Sequence, residues 1–396
     1  MDRSWAFGTR SRHPAGMGLL GENVTRERGT LKAITVMLLA LGLVAPVSQA
    51  AIDPLFDEQW GLAQIHAPEA WATATGAGVT VAVIDTGIDF AHPDLAGKIV
   101  GGITFDGCGS TGCGDGSKAP GFAGSPHGTW VAGVIAATAG NGIGIAGVAP
   151  EASLLSVNVG GVLVSDVALG IEWAVDHGAD VINLSLGRAG FYGTELLGTP
   201  DELSAALFHA YEMGVVVIAA SGNHPVVFLP PFPPDPFDPY YPHVPVICAD
   251  PASRPDVICV GATDKRELPA YYSGLPVREE FSALAAPGGA GLQGFLGPPG
   301  CDEAVVTTHP TDMPKMCPFE GSYEATDGTS FAAPHVAGVA ALLVSMGCDL
   351  DEVRGILLNT ARHPGLDARG LYSPVYGHGI VDAAAAVSFA ADVCAG

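Results

Sequence analysis

Four polar residues spread along the chain have the side chains that acyl transfer requires. The reaction needs an activated hydroxyl, a base within reach of it, and a carboxylate that fixes the tautomer of the base. Ser330, His127 and Asp85 could supply these groups, and the amide of Asn223 could donate a hydrogen bond to a developing oxyanion. Whether the four side chains meet depends on the elements that carry them.

Ser330 lies near the start of Gly328–Gly338, a stretch that predicts a turn followed by a helix. The residues after Ser330 are small and apolar on all sides, which indicates a helix that is buried all round. Unpaired N–H groups at a helix start stabilise negative charge, although a serine there is also a common helix cap. Pro334 is expected near the first turn, where its missing N–H is not needed, and His335 is interpreted as structural.

Five short apolar runs alternate with helix-like segments from Val79 onwards. Continuous Val- and Ile-rich runs predict strands buried on both faces, and therefore a three-layer α/β/α fold with a mainly parallel central sheet. The predicted strands are Val79–Ile84, Leu154–Val159, Val181–Leu186, Val215–Ala220 and Val257–Ala262, with helices over about Ser165–His177 and Pro200–Met213.

The candidate residues fall at one edge of this predicted sheet. Asp85 follows the first strand, Asn223 follows the fourth, and His127 opens a second helix of small residues. In open parallel sheets, ligands bind beyond the carboxyl ends of the strands. A turn cap would explain Asp85 alone, and a structural role would explain a lone histidine. Their coincidence with Ser330 predicts a catalytic site.

Three motifs carry a resemblance to the subtilisin-like serine proteases, the subtilases. They are Asp-Thr-Gly-Ile-Asp from Asp85, His-Gly-Thr-x-Val-Ala-Gly from His127, and Gly-Thr-Ser-x-Ala-x-Pro-His-Val-Ala-Gly from Gly328. Their order and spacing are those of the family, and the resemblance extends over about Asp53–Ala386. It implies a subtilisin-like fold and the hydrolysis of peptide bonds in proteins.

The resemblance also implies a role for each candidate residue. Asp85 would orient His127, His127 would act as general base and then as acid, and Ser330 would attack the scissile carbonyl. Asn223 stands at the family's oxyanion position, where its side-chain amide would act with the backbone N–H of Ser330. The alternative from another functional class is a catalytically silent subtilase scaffold that binds peptides or a partner protein.

Two walls of a substrate groove follow from the same resemblance. One wall is an edge segment that pairs with an extended peptide, and the other faces it across the primary specificity pocket. The edge segment is Ser185, Leu186 and Gly187, and the pocket wall includes Ala220, Ser221 and Gly222. Arg188, where many relatives have glycine, could favour acidic substrate residues, crowd the groove, or be an ordinary solvated loop residue.

The resemblance further implies a structural Ca²⁺ site. Its side-chain ligands would be Asp94 and Asn141, with Asp53 as a further candidate, and backbone carbonyl oxygens would complete it. Hard oxygen ligands from a loop are those that Ca²⁺ prefers, although ordinary Asx turns could explain the same residues. The carbonyls would come from Ala139, Ile143 and Ile145.

The first 50 residues have the pattern of a secretory signal. Basic residues precede the apolar run Ala33–Val47, which ends in small residues before Ala50. Residues 1–50 are therefore predicted to be a signal peptide with an N-terminal extension, and residues 51–396 a peptidase domain. An uncleaved anchor is the alternative, but the run is shorter than the roughly 20 residues that a spanning helix needs.

Two segments depart from the family pattern, and a third feature concerns activation. Insertions are predicted near 225–250, which is rich in proline and aromatic residues and could overhang the cleft, and at 287–326, which contains two cysteines. The sequence between Ala50 and Asp85 already resembles a mature subtilase N-terminus, so no inhibitory prodomain is expected there.

The charge and the cysteine content of the chain indicate which partners and which cellular compartment to expect. The net charge of −24 argues against nucleic acid, and it becomes more negative without residues 1–50. We expect protein or peptide substrates, a monomer without stable membrane association, and secretion to the extracellular space or the periplasm.

The even number of cysteines, eight, predicts disulfides in a secreted chain. One pairing among many is Cys108–Cys113, Cys248–Cys259, Cys301–Cys317 and Cys348–Cys394.

Overall fold

The computed structural model of the chain describes residues 53–121, 124–160, 163–186, 201–223, 257–274, 282–290, 300–366 and 368–394. The predicted signal segment, the insertion near 225–250, Gly187 and Arg188 lie outside the described residues. Within the described ranges, no helix is both long enough and apolar enough to cross a membrane.

A parallel sheet of seven strands occupies the centre of the described structure. Its strands are β1 Thr80–Asp85, β2 Ile99–Thr104, β3 Ser153–Asn158, β4 Val181–Leu184, β5 Val216–Ala220, β6 Val257–Thr263 and β7 Ala283–Pro287. Their order is β2-β3-β1-β4-β5-β6-β7, and every neighbouring pair is parallel. The five predicted strands are confirmed, with small shifts at their ends.

Strands β2 and β7 were not predicted from the sequence. β2 is an edge strand, half-exposed over most of its length, and it contains Gly101 and Gly102. β7 is fully buried but consists mainly of alanine. Neither strand therefore carries the continuous Val and Ile run by which the inner strands were recognised.

Helices cover both faces of the sheet. They are α1 Trp60–Gln64, α2 Ala67–Ala70, α3 His127–Ala136, α4 Val164–Asp176, α5 Asp201–Glu212, α6 Thr329–Val344, α7 Leu350–Thr360 and α8 Ala383–Val393, with 3-10 turns at Phe56–Glu58, Pro93–Leu95, Gly109–Thr111 and Cys301–Glu303. Val81 and Val83 of β1 pack in the core that includes α3 and α6, whereas Ala82 and Ile84 pack in the core that includes α4 and α5. Alternate side chains thus enter two cores, which confirms the three-layer α/β/α fold.

Helix α6 is the buried helix that the sequence predicted after Gly328. All its residues except Ser330 and Val344 are buried, so its apolar side chains pack on every side. Pro334 lies inside the helix rather than near its first turn, which corrects the prediction for this residue. A proline there removes the N–H that would bond the carbonyl of Ser330, four residues earlier.

Residues 287–326 contain a second sheet that the sequence did not predict. Its strands are β8 Val305–Thr308, β9 Pro318–Phe319 and β10 Tyr323–Thr326, antiparallel in the order β8-β10-β9. We call this unit the small sheet. Strands this short give no readable alternation, which explains why the sequence indicated only a loop. The small sheet packs on α3.

Three of the four predicted disulfides lie in the described residues, and all three are present: Cys108–Cys113, Cys301–Cys317 and Cys348–Cys394. Cys301–Cys317 lies within the predicted insertion at 287–326, and Cys317 directly precedes β9 of the small sheet. The fourth pair involves Cys248, which lies outside the described residues.

Candidate active site

The fold brings the four candidate catalytic residues to the carboxyl edge of the central sheet. β1 ends at Asp85, β5 is followed by Asn223, and the order β1-β4-β5 makes these strands near neighbours. α3 begins at His127, and Ser330 is the second residue of α6. Two strand ends and two helix starts therefore converge, as the parallel-sheet rule predicts.

Asp85 and His127 form a close hydrogen-bonded pair. His127 Nδ1 lies 2.8 Å from Asp85 Oδ1 and 2.9 Å from Asp85 Oδ2. The Asp85 side chain is fully buried, and its Oδ1 also accepts a 2.7 Å hydrogen bond from the backbone N–H of Thr86. An ionised carboxylate only accepts hydrogen bonds, so it holds the proton on Nδ1 and leaves Nε2 as the basic nitrogen.

The start of α3 lies tightly against the loop after β1. The backbone N–H of Gly128 donates to Thr86 Oγ1 at 3.1 Å. A Cβ added to Gly128 would lie 2.4 Å from the carbonyl oxygen of Gly87. Only glycine fits at this point, and the close approach brings His127 to Asp85.

Burial and Asp85 shift the pKa of His127 in opposite directions. Burial lowers the pKa of His127, but the negative charge of Asp85 and the hydrogen bond to it outweigh that effect and leave the pKa raised above its usual value. The imidazolium form is therefore stabilised, as is required of a base that carries a proton during the reaction.

Ser330 is linked reciprocally to Ser185, at the end of β4. Ser330 Oγ donates to the carbonyl oxygen of Ser185 at 3.1 Å, and Ser185 Oγ donates to the carbonyl oxygen of Ser330 at 2.8 Å. Pro334 cannot donate to that second carbonyl, so Ser185 replaces the missing helical donor. Among the hydrogen bonds of the described residues, none joins Ser330 to His127; in ligand-free sites such bonds often form only when substrate binds.

Asn223 is held by the residue that precedes Ser330. Its Oδ1 accepts hydrogen bonds from the backbone N–H of Thr329 at 2.8 Å and from Thr329 Oγ1 at 2.9 Å. The same Oγ1 accepts from the backbone N–H of Gly222 at 3.1 Å. Because Oδ1 is committed to Thr329, Nδ2 is the end of the amide that can donate to another group. This arrangement suits an oxyanion donor.

Comparisons with known proteins agree with this geometry. Residues 76–379 match the model of the Subtilase family. Thermitase of Thermoactinomyces vulgaris is 36% identical over 314 residues, which cover 78% of this chain and 90% of thermitase. Subtilisin BL of Lederbergia lenta is 36% identical over 335 residues, which cover 83% of this chain and 97% of that protein. The chain belongs to the subtilase family.

Solved structures support the same fold. A structure of proteases from Pseudoalteromonas arctica PAMC 21717 aligns with a TM-score of 0.64 at 33% identity, over 85% of this subtilase and 98% of that chain. Fervidolysin from Fervidobacterium pennivorans, described as a keratinolytic enzyme related to subtilisin, aligns with a TM-score of 0.63 at 28% identity. This alignment covers 86% of this subtilase and 47% of the fervidolysin chain. This subtilase is a subtilisin-like serine endopeptidase.

The predicted substrate-binding residues lie on two neighbouring strands of the subtilase. Ser185 and Leu186 follow β4, and Ala220 ends β5, directly before Ser221 and Gly222. The Leu186 side chain packs into the core on the α4 and α5 side, so only its backbone could contact a peptide. The positions of these residues agree with a groove between the two strand ends. Their contacts with substrate remain a prediction.

The predicted calcium ligands of the subtilase cluster around a loop after α3. Buried Asp94 accepts hydrogen bonds from Asn141 Nδ2 at 2.7 Å and from the backbone N–H of Ile145 at 3.0 Å. Asp53 accepts from the backbone N–H groups of Gly140 at 2.7 Å and Gly142 at 3.0 Å. Ala139 and Ile143 belong to the same loop; the backbone N–H of Ile143 donates to Asn141 Oδ1 at 2.9 Å.

The donor chemistry of this loop fits a hard cation. Burial raises the pKa of Asp94 to about 6, and the negative charge of Asp53 adds to that rise. Burial also raises the pKa of Asp53. Among the ion pairs of the described residues, neither carboxylate has a cationic partner, so a divalent ion would relieve their repulsion. Structural calcium is common among subtilases.

Two supporting contacts of these sites were missed by sequence reasoning. Tyr323 of the small sheet donates from its hydroxyl to Asp94 Oδ2 at 3.0 Å, and the side chain of Ser185 supports α6 as described above. Both contacts join distant parts of the chain, so no local pattern predicts them. Thr329 and Thr86 could have been found, because each adjoins a motif residue and carries a hydroxyl.

His335 is buried and structural, but it does have a partner. Its Nδ1 lies 2.7 Å from the carbonyl oxygen of Phe331, four residues earlier in α6. Burial lowers the pKa of His335 to about 4, so the ring is neutral at physiological pH. A neutral, buried ring bonded within its own helix agrees with the structural role expected for this histidine.

Proposed function

We propose that this subtilase is a secreted endopeptidase that hydrolyses peptide bonds in proteins through an acyl-enzyme on Ser330. The observation that carries the proposal is the close pair of buried Asp85 with His127, which leaves His127 Nε2 available at the sheet edge where α6 begins with Ser330 as its second residue. Acyl transfer needs a nucleophile, a base, a carboxylate and an oxyanion donor close together, and the carboxyl edge of the central sheet carries a residue suited to each of these roles.

In the first step, Ser330 Oγ attacks the carbonyl carbon of the scissile peptide. The Oγ–C bond forms while the Oγ proton moves to His127 Nε2, and the carbonyl electron pair moves onto oxygen. Ser330 Oγ must first leave the carbonyl oxygen of Ser185, with which it shares a 3.1 Å hydrogen bond. Asp85 then stabilises the imidazolium.

The oxyanion would be held by Asn223 Nδ2 and by the backbone N–H of Ser330. Because Thr329 fixes Asn223 Oδ1, the amide needs no reorganisation when charge develops, which is the condition for strong electrostatic stabilisation. His127 then returns its proton to the leaving amine, and the C–N bond breaks. Water repeats the sequence on the acyl-enzyme and releases the second product.

Structural calcium completes the proposal. Asp53, Asp94 and Asn141 would hold Ca²⁺ together with the carbonyl oxygens of Ala139, Ile143 and Ile145. The ion would stabilise the loop by neutralising two buried carboxylates. It takes no part in the chemical step.

The compartment follows from the N-terminal pattern and from the disulfides. Residues 1–50 have the basic, apolar and small-residue order of a signal peptide. The three described disulfides are typical of oxidising compartments. Both features support a mature enzyme that acts outside the cytoplasm.

Labelling with a fluorophosphonate tests the proposal directly. Purified protein, shown to be folded by circular dichroism, should gain one covalent adduct, which peptide mass spectrometry should locate on Ser330. Ser330→Ala is the matched control and should stay unlabelled. If folded wild-type protein gains no adduct on Ser330, the enzymatic proposal fails and the silent peptide-binding scaffold becomes the better explanation.

A further inference from the structure

We propose that Trp130 is a positioning residue for the catalytic imidazole, and that the small sheet, through His309, holds Trp130 in place. The inference rests on the proposed role of His127 as the base. It assigns a function to the segment 300–326, which the catalytic mechanism does not otherwise use.

Trp130 lies one helical turn after His127 on α3, and residues three apart on a helix share a face. The centroids of the two rings are 6.1 Å apart with an interplanar angle of 62°. Phe331, directly after Ser330, lies 5.9 Å from His127 and 6.0 Å from Trp130. Two aromatic rings therefore lie against the imidazole, one from each catalytic helix.

The imidazole needs this support because Asp85 restrains only one of its ends. The hydrogen bonds to Asp85 fix Nδ1, but the ring can still tilt about that contact. The His127 side chain is one quarter exposed (25%), so solvent does not exclude other orientations. Contact with Trp130 and Phe331 restricts the tilt and keeps Nε2 directed at one place. Small misplacements of a base are costly, on the order of a hundredfold for about 1 Å.

Trp130 is itself anchored to the small sheet at two points. Its indole Nε1–H donates to His309 Nδ1 at 3.0 Å, and its backbone carbonyl accepts from Thr307 Oγ1 at 2.5 Å. Thr308 Oγ1 donates to the carbonyl of Thr129 at 2.6 Å, next to Trp130 in the helix. β8 is thus bonded to the first turn of α3.

His309 is fixed in turn by polar groups of the small-sheet segment. It is 1% exposed, and its Nε2 lies 3.2 Å from the carbonyl oxygen of Met313. Its Nδ1 lies 2.6 Å from Glu324 Oε2, and Glu324 Oε1 accepts from the backbone N–H of Cys317 at 3.1 Å. Nδ1 carries either a proton or a lone pair, so it cannot accept from Trp130 while donating to Glu324.

The indole N–H of Trp130 and the carboxylate of Glu324 therefore compete for this nitrogen, at 3.0 and 2.6 Å. The close carboxylate fixes the position of the His309 ring, and that ring in turn limits where the indole of Trp130 can lie.

Two substitutions separate the indole ring from its anchor. Trp130→Phe keeps an aromatic ring beside His127 but removes the N–H, whereas Trp130→Leu removes the ring. We expect kcat to fall about threefold in Trp130→Phe and at least tenfold in Trp130→Leu, with KM changed less than about twofold in both. The values of kcat are expressed per active site, as titrated with the fluorophosphonate. Trp173, on the opposite face of the sheet and stacked on His177, is the matched control. Trp173→Leu should leave kcat unchanged.

The pH profile supplies a readout that a purely structural role would not move. Burial lowers the pKa of His127, so removing the indole and admitting water should raise it. The acidic limb of kcat/KM should therefore shift to higher pH in Trp130→Leu and stay in place in Trp173→Leu. A lower melting temperature with unchanged kcat and an unchanged limb would overturn the inference.

A double-mutant comparison tests the anchor. In a His309→Phe/Glu324→Gln background, the acceptor for the indole is gone and no buried charge is left unpaired. Trp130→Phe should cost nothing further in kcat there; a full additional threefold loss would contradict the role of His309. If the fluorophosphonate failed to label folded wild-type protein, the proposed catalytic function itself would be wrong. That outcome differs from a loss of kcat that does not depend on Trp130 or His309, which would contradict only the positioning role.

Discussion

The hydroxyl of Ser185 donates to the carbonyl oxygen of Ser330, while the hydroxyl of Ser330 donates to the carbonyl oxygen of Ser185, at 2.8 and 3.1 Å. The first of these bonds is a consequence of Pro334, which has no N–H for the Ser330 carbonyl. The pair ties the candidate nucleophile to the strand end that would bind substrate. A proline inside α6 and a serine after β4 thus form one structural unit.

Removing the Ser185 hydroxyl should destabilise the fold. Ser185→Ala leaves the Ser330 carbonyl without its donor, and we expect the free energy of unfolding to fall by about 1–3 kcal/mol. Urea denaturation in a Ser330→Ala background, which prevents self-digestion, measures the change. Ser345→Ala is the control, because Ser345 Oγ makes a comparable 2.6 Å bond to Leu342 at the half-exposed end of the same helix. An equal loss in both variants would contradict the explanation.

The acidic limb of activity should lie above pH 6.5. Burial lowers the pKa of His127, but Asp85 raises it further, so the folded value exceeds the ordinary 6.5. Protonated His127 cannot accept the Ser330 proton, and activity is lost as the pH falls through that raised pKa. Asp85→Asn removes both raising effects, so the limb should move to lower pH while kcat falls by about 10⁴-fold. A pH–rate profile of kcat/KM gives both values.

Asn223 should contribute to the transition state and little to substrate binding. Asn223→Ala should lower kcat by about 10²–10³-fold with KM nearly unchanged, a magnitude taken from subtilisin itself, the relative for which it is established. Asn223→Asp is the sharper variant, because its carboxylate can still accept from Thr329, while the donating amide is replaced by a negatively charged oxygen that repels the oxyanion. If Asn223→Asp retained wild-type kcat, the oxyanion assignment would be wrong.

Acid should destabilise the enzyme partly through His335. The unfolded histidine binds a proton near pH 6.5, but burial lowers the folded pKa to about 4. The unfolded state therefore binds more protons between these values, and the free energy of unfolding decreases as the pH falls, by up to about 3 kcal/mol from this residue. His335→Gln should flatten this slope in denaturation curves from pH 7 to 4. His177→Gln, at an exposed position directly after α4, should leave it unchanged.

The sequence predicted the inner strands and the motif residues because both signals are local. Val and Ile runs identify β1, β3, β4, β5 and β6, and Asp85 and Asn223 follow such runs directly. The missed elements lack that signal: β2 is a glycine-containing edge, and β9 has two residues. Strands of that kind form through contacts with distant segments.

The supporting contacts of the site could not be predicted, for the same reason. Ser185 and Ser330 are separated by 145 residues, and Tyr323 and Asp94 by 229. The type of each residue is compatible with many partners, and only the folded chain selects one. The sequence therefore indicated which groups could react, and the structure indicated which groups hold them.

Calcium removal should destabilise the enzyme through Asp94. A chelator should lower the melting temperature of the Ser330→Ala protein, and added Ca²⁺ should restore it, because the ion would offset the repulsion between Asp94 and Asp53. Asp94→Asn removes one of the two charges, so the response to Ca²⁺ should be lost or strongly reduced. Asp176→Asn is the matched control, since that carboxylate is 70% exposed on α4 and should leave the response intact. Identical melting curves with and without chelator in the parent protein would exclude this loop as a structural calcium site.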